Sequence, residues 1–262
     1  MKIYRTESSA IVLSEKKCYV LENEDWDQLI NRNGLHGYLQ SLISKLSPDG
    51  NESILETSAI KAPIKSQEIW AAGVTYLKSK TARMEESEAT GGAVFYDKVY
   101  AAERPELFFK ANAYRTVGHR DQVNIRKDSV WDVPEPELTL FINSFGNIAG
   151  YSIGNDMSSR SIEGENPLYL PQAKCYDRSA ALGPCIYVPE SPIPSNTGIS
   201  MKILREEKLL FEGNTQISQM KRSHTELAEF LFRECSFPSG VFLMTGTCIV
   251  PGDDITLKLR DE

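Results

Sequence analysis

The chain has 262 residues, 41% hydrophobic and 25% charged, enough for one large domain with a substantial core. Its formal net charge of -7 argues against nucleic acid or an anionic membrane as the main partner. No apolar run is long enough to span a bilayer, and no signal-peptide core precedes the strand-like Lys2-Ile3-Tyr4-Arg5, so the cytoplasm is the expected compartment.

Two β-rich runs, Lys2 to Leu13 and Lys17 to Leu21, meet at the polar turn Ser14-Glu15-Lys16. Leu29, Ile30, Leu35, Leu39, Leu42, Ile43 and Leu46 recur mostly at helical spacing from about Asp25 onward, with Gly34 and Gly37 as places where that helix could break in two. Ser47-Pro48-Asp49-Gly50-Asn51 reads as a turn or linker. Residues 1–62 are therefore expected to form a small N-terminal α/β unit, and residues 63–262 the main domain. Short strands dominate that domain: 67–72, 106–110, 122–126, 137–142, 148–155, 185–188, 199–205, 208–212 and 240–245. Helices are expected only at about 77–88, 94–102 and 225–235. The pattern predicts an α+β, β-rich fold with a rolled or barrel-like sheet, without the βαβ alternation of a parallel one. The charged stretch Lys78 to Gly92, ending in Thr90-Gly91-Gly92, fits either a mobile lid or a solvated surface helix. Asp253 to Glu262 resembles the approach to a final strand, which either lies beyond the sequence or is not needed.

Five widely spaced cysteines with no Cys-x-x-Cys pair exclude a disulfide framework and a thiolate zinc site. The three histidines share no short motif, so a histidine-based metal site is not expected either. The informative stretch is Pro134-Glu135-Pro136-Glu137, its apolar continuation to Ile142, the turn-rich Asn143 to Asn147, and Ile148 through Asp156. It reads as a hairpin. Side chains alternate along a strand, so Glu135 and Glu137 share a face. Pairing about Phe145 sets 137 near 153 and 135 near 155, within a residue or two, and brings Asp156 beside Glu135. Three carboxylates held so close repel one another unless a hard cation joins them. Oxygen-only ligands fit Mg²⁺ first, or Mn²⁺ or Ca²⁺, rather than Zn²⁺. A Glu-x-Glu pair alone also fits the polar face of an edge strand, which Pro134 and Pro136 would suit.

These segments occur in a telling order. Pro-Glu-Pro-Glu-Leu, Gly150-Tyr-Ser-Ile-Gly-Asn-Asp-Met-Ser-Ser-Arg160, Gln172-Ala-Lys174-Cys-Tyr, Leu182-Gly-Pro and Met244-Thr-Gly-Thr247 follow one another, and over roughly residues 65 to 257 they resemble the fumarylacetoacetate hydrolase superfamily. Val99 to Lys110, Glu165 to Lys174 and Thr247 to Gly252 resemble in particular its dehydratases of 2-keto-3-deoxy sugar acids. The resemblance implies a metal on Glu135, Glu137 and Asp156, catalytic roles for Glu106 and Lys174, and a homodimer or homotetramer. The superfamily's hydrolases carry a water-activating histidine and glutamate after an Asn-Tyr; here Thr75-Tyr76 is followed by Ser79 and Ala82 at those positions. That departure favours a lyase over a hydrolase. A second departure is Ser161, where the family commonly has aspartate after its arginine.

Tyr76, Arg160 and Thr247 are the substrate-binding candidates. Arg160 fits a structural ion pair equally well, and Thr245-Gly246-Thr247 is a turn whose N–H groups could hold a carboxylate or simply a tight turn. Lys174 alone would read as a surface lysine, but its neighbours Leu168-Tyr169-Leu170 and Cys175-Tyr176 are apolar. Glu106 alone could pair with Arg104 or Lys110. The expected activity is dehydration of a 2-keto-3-deoxy sugar acid, a small 2-oxo acid, giving 2-oxoglutarate semialdehyde from a pentonate. The alternatives are hydrolysis or decarboxylation of an acylpyruvate-like substrate, or a non-catalytic 2-oxo acid binding protein.

Overall fold

The computed structural model describes residues 1–86 and 92–262. Strands β1 (Lys2–Arg5), β2 (Ser9–Ser14) and β3 (Lys17–Glu22) form a meander. Glu15 and Lys16 between the last two take left-handed φ of 49° and 63°, the conformation that a two-residue hairpin loop needs to match strand twist. The expected helix over 25–46 is two: α1 (Trp26–Ile30), capped by Asp25 Oδ1 accepting from the Gln28 N–H, and α2 (Leu35–Ile43). The break falls at Gly34, whose φ of +63° leads into α2, while Gly37 stays inside it. Then come β4 (Gly50–Asn51) and α3 (Ile54–Thr57).

The main part continues with β5 (Glu68–Gly73), α4 (Leu77–Glu86), α5 (Ala93–Ala101), β6 (Glu106–Asn112), β7 (Thr116–Val117) and β8 (Asp132–Val133). The hairpin strands are β9 (Pro136–Ile142) and β10 (Ile148–Asp156), followed by β11 (Ser158–Ser159), α6 (Arg160–Glu165), α7 (Leu170–Lys174) and β12 (Ala180–Tyr187). A separate two-stranded ribbon, β13 (Gly198–Arg205) with β14 (Lys208–Gln216), precedes α8 (His224–Phe232) and β15 (Val241–Met244).

One 11-stranded sheet runs β4-β3-β2-β1-β12-β10-β9-β15-β5-β6, with β7 parallel to β12. It is mixed: β15 lies parallel to β5 and antiparallel to β9. Among the described residues its end strands β4 and β6 do not pair, so the β-rich sheet does not close into a barrel. The N-terminal strands extend this sheet. Ile3, Val12, Leu29 and Leu39 pack in one core with Ile69, Phe141, Leu182 and Phe242. The opposite face of β9 and β15 is covered by a second core that includes Leu227 and Leu231 of α8. Covered on both faces, these central strands are near-continuous apolar runs.

The β9–β10 register decides the site. Ile148 pairs with Ile142, but Gly150 pairs with Phe141, so Ala149 is an extra residue that bulges β10. Glu137 therefore stands opposite Gly154, one residue beyond the position expected from a turn about Phe145. The Asp156 N–H donates to the Glu135 carbonyl at 2.9 Å. Without the bulge Asn155, not Asp156, would share the glutamates' face.

Other expectations shift. Residues 122–126 make no strand; isolated bonds, such as Asn124 N–H to the Arg178 carbonyl at 3.1 Å, tie them to the loop before β12. Strand β12 begins at Ala180, well before Cys185. Residues 253–262 form no strand, though Leu204 and Glu262 exchange backbone hydrogen bonds. Of the stretch Lys78 to Gly92, residues 87–91, among them Thr90 and Gly91, lie outside the described residues.

Candidate active site

The three predicted ligands meet. Glu135, Glu137 and Asp156 are 3%, 2% and 1% exposed, and each offers an oxygen within 4.8 Å of the others. Backbone pairing of β9 with β10 sets their Cα positions. Two further contacts aim them: the Asn155 side-chain oxygen accepts the Glu135 N–H at 3.1 Å, and Glu137 Oε2 accepts the Gly246 N–H at 2.6 Å. The turn at Gly246 thus does hold a carboxylate, the protein's own. Gly246 is required there, since its φ is +96° and a Cβ would fall 2.0 Å from Thr75 Oγ1. Burial and the charges of Asp156 and Glu135 push the Glu137 carboxyl well above the usual range. Burial alone would do the same to Glu135, but Lys174, Arg160 and Arg83 outweigh it and hold that carboxyl below the range.

Lys174 ends α7 and is fully buried. Its Nζ donates to Glu135 Oε2 at 2.6 Å, Asp156 Oδ2 at 3.0 Å and Ser158 Oγ at 2.5 Å, which occupies all three ammonium hydrogens. Burial favours loss of its proton, but Asp156, Glu135 and Glu163 more than offset that and raise its pKa above the usual lysine value. A second fully buried lysine, Lys110 of β6, stands 2.6 Å from Asp156 Oδ1 and donates to the carbonyls of Met157 (2.9 Å) and Lys174 (2.5 Å). Arg160 bonds Glu135 Oε1 through Nη2, and its Nε lies 3.8 Å from Glu163 Oε2. Arg83 of α4 reaches Glu163 at 2.9 Å.

The donor set suits a hard divalent cation. All three ligand groups are oxygen, they are dry, and among the described residues Glu137 makes no ion pair. The cavity they face is about 20 Å³, room for one water-sized particle. Arg160, Lys174 and Thr247 line it, as do Ser79, Arg83 and Phe108. Tyr76 and Glu106 do not. Tyr76 is fully buried just before α4, its hydroxyl without a hydrogen-bond partner among the described residues. The Glu106 carboxyl lies directly behind the wall residue Gly73, where a Cβ would come within 1.9 Å of its Oε2. Burial, in part countered by Arg83, raises the Glu106 pKa, and Oε2 has no hydrogen-bond partner among the described residues. Neither Arg104 nor Lys110 pairs with it: Lys110 serves Asp156, and Arg104 sits over the Phe230 ring.

The sequence reading missed Lys110, Ser158, Glu163 and Arg83. Glu163 follows Arg160 by three residues on a short helix, a visible spacing. Lys110 is one cation inside a strand that also carries Glu106 and Asn112. Nothing distinguishes Arg83 from the other charges of the 78–92 stretch.

Sheet topology, buried carboxylate cluster and neighbouring lysine together define the class of protein. Residues 68–261 match the family described as fumarylacetoacetate (FAA) hydrolase C-terminal, and the chain belongs to that family. It is 48% identical over 201 residues to a probable 2-keto-3-deoxyxylonate dehydratase of Haloferax volcanii, covering 76% of this chain and 68% of that protein. It is 44% identical over 204 residues to a 2-dehydro-3-deoxy-D-arabinonate dehydratase of Saccharolobus solfataricus, covering 77% and 68%. Among solved structures, a 2-keto-3-deoxy-D-arabinonate dehydratase complexed with magnesium and 2,5-dioxopentanoate superposes with a TM-score of 0.83 at 34% identity, over 100% of this chain and 92% of that one.

Proposed function

We propose that this chain is a Mg²⁺-dependent hydro-lyase that removes water from a 2-keto-3-deoxypentonate, such as 2-keto-3-deoxy-D-arabinonate, to give 2-oxoglutarate semialdehyde. One observation carries the reading: a buried three-carboxylate cluster shares its cavity with an ammonium, and the described residues lining it include no histidine and no further carboxylate to activate water. Ser79, at the position where the family's hydrolases hold histidine, has its hydroxyl bonded to the Tyr76 carbonyl at 2.8 Å. Relatives with 44% and 48% identity that are named sugar-acid dehydratases support the same reading.

Glu135, Glu137 and Asp156 would hold the ion. Mg²⁺ bound there supplies Lewis-acid polarisation of the substrate's 2-oxo group. Glu106 is the proposed base for the C3 proton, and a raised carboxyl pKa suits that task. Lys174, with its hydrogens directed at site oxygens, fits stabilising negative charge and assisting departure of the C4 hydroxyl. Loss of water and tautomerisation complete the reaction. Arg160 and Thr247 are the proposed substrate contacts on the cavity wall, and Tyr76 the proposed support behind them.

Incubation with Mg²⁺ and a panel of 2-oxo acids tests the reading by product mass. Loss of water from the pentonate is expected. Faster cleavage of an acylpyruvate, with addition of water, would overturn it, because base assistance to water is typically worth about a hundredfold or more.

Three further proposals go with this reading. The five cysteines are unpaired, which supports a reducing compartment, the cytoplasm. Self-association as a homodimer or homotetramer is tested by sedimentation. The division into 1–62 and 63–262 is supported by a family match that begins at residue 68.

A further inference from the structure

Helix α4 brings Ser79 and Arg83 to the cavity wall, opposite the carboxylates of β9 and β10. Besides the Arg83–Glu163 ion pair, α4 is held there by contacts outside the site. The segment Met220–Arg222, just before α8, grips the α4–α5 pair at both ends. At the near end, Tyr76 forms a β-bridge with Met220, and the Lys221 N–H donates to the Thr75 carbonyl at 2.9 Å. At the far end, Arg222 takes carbonyls at and just beyond the end of α5: Nη2 donates to Ala102 at 2.7 Å and Val99 at 3.4 Å, and Nη1 to Glu103 at 2.8 Å. Lys221 Nζ bonds the Tyr100 carbonyl beside them.

A helix end leaves carbonyls without partners and carries partial negative charge, so a guanidinium fork is well suited to it. Arg222 is only 6% exposed, and Glu226 Oε1 on α8 braces it at 2.6 Å. A buried arginine directed at four backbone and side-chain oxygens is committed, with no reach to the cavity. Its contacts are geometric, and what they fix is the seating of α5 and, through the α4–α5 packing, of α4.

We propose that Arg222 is a positioning residue for the substrate side of the site, acting through α5 and α4 on the placement of Arg83 and Ser79. The three carboxylates sit on or just before β9 and on β10, and Arg222 contacts none of them. This inference rests on the dehydratase reading for its substrate but not for its geometry.

The test compares wild type with Arg222→Met and Arg222→Lys, in three measurements. With 2-keto-3-deoxy-D-arabinonate, displacement of a wall residue by an ångström or less is expected to lower kcat/KM by about ten- to a hundredfold, mainly through KM. Arg222→Lys keeps the charge beside Glu226 but lacks the fork that spans several carbonyls, so it should recover only part of the loss. Mg²⁺ affinity by calorimetry should stay at the wild-type value. If Arg222→Met does not fold, Arg222→Lys carries the comparison alone. Unchanged KM and kcat in a folded variant overturn the inference, and so does a parallel fall in metal affinity, which would mean general loosening. If the wild type itself dehydrates no sugar acid, the functional reading fails, and the clamp is judged by amide exchange. Faster exchange in α4 as well as α5 is then the expected result, and unchanged exchange in α4 overturns it.

Discussion

Strand β9 passes through two dry environments. Leu140, Phe141 and Ile142 are fully buried among apolar side chains, Phe141 with its ring 5.1 Å from that of Phe242. At the other end Glu137 and, just before the strand, Glu135 are nearly as buried, yet surrounded by Asp156, Lys174, Lys110 and Arg160. In the apolar stretch each contact is weak and interchangeable, and losing one leaves a void. In the charged stretch every group but Glu137 has an ionic partner among the described residues, and losing one of those leaves another charge uncompensated. The first region tolerates changes of kind but not of volume. The second tolerates neither.

The largest effect separates chemistry from binding in the charged region. Lys174→Met should lower turnover by at least about a hundredfold while Mg²⁺ still binds, because the volume is largely kept and the charge and proton are gone. Turnover within a few-fold of wild type would remove Lys174 from the mechanism. Next, Glu137→Gln should abolish Mg²⁺ binding in calorimetry while the metal-free protein melts no lower than wild type, since repulsion from Asp156 and Glu135 is relieved. Retained affinity would break the three-carboxylate assignment.

A matched pair then tests the contrast itself. Lys110→Met should weaken metal binding by about ten- to a hundredfold, as loss of a group that orients a ligand does. Phe141→Ala should cost about 3–5 kcal/mol of stability and leave metal affinity unchanged. If both variants lose stability alone, Lys110 is packing and not a support for Asp156.

The smallest effect is in pH. Burial raises the folded Glu106 carboxyl above its ordinary 4.5. The unfolded chain then gives up this proton first, so the stability it contributes is present below that ordinary value and is lost as pH rises through the folded pKa. Glu106→Gln should show a flatter dependence of melting temperature on pH across that interval. The same slope in both proteins would mean the carboxyl is not shifted.

The two regions were unequally legible. The ligand carboxylates could be read because a Glu-x-Glu, a hairpin turn and a following Asp are local features, and strand alternation does the rest. The apolar core of β9 and β15 was equally plain. The register was off by one, since an extra residue such as Ala149 alters no local pattern. Strand β12 was clipped because Gly183-Pro184 reads as a break, although its carbonyl and N–H groups elsewhere still pair with β1 and β10. Lys110 and Arg83 were passed over for one reason: long-range pairing decides whether a lysine or arginine is solvated or buried, and sequence spacing does not record it.

The bulge at Ala149 has one more consequence, for insertions and deletions. It lies about 23 Å along β10 from Asp156, at roughly 3.3 Å per residue, and touches no ligand. Replacing Ala149 by another small residue should pass unnoticed. Removing it would let Gly150 to Asp156 keep their partners on β9 in a regular hairpin, whereas inserting a residue between Gly150 and Asp156 would slide those beyond it by one step and turn Asp156 to the far side of the sheet, with Asn155 in its place. The number of residues from Gly150 to Asp156 is thus held as tightly as the identity of the three carboxylates, while the bulge itself can be lost.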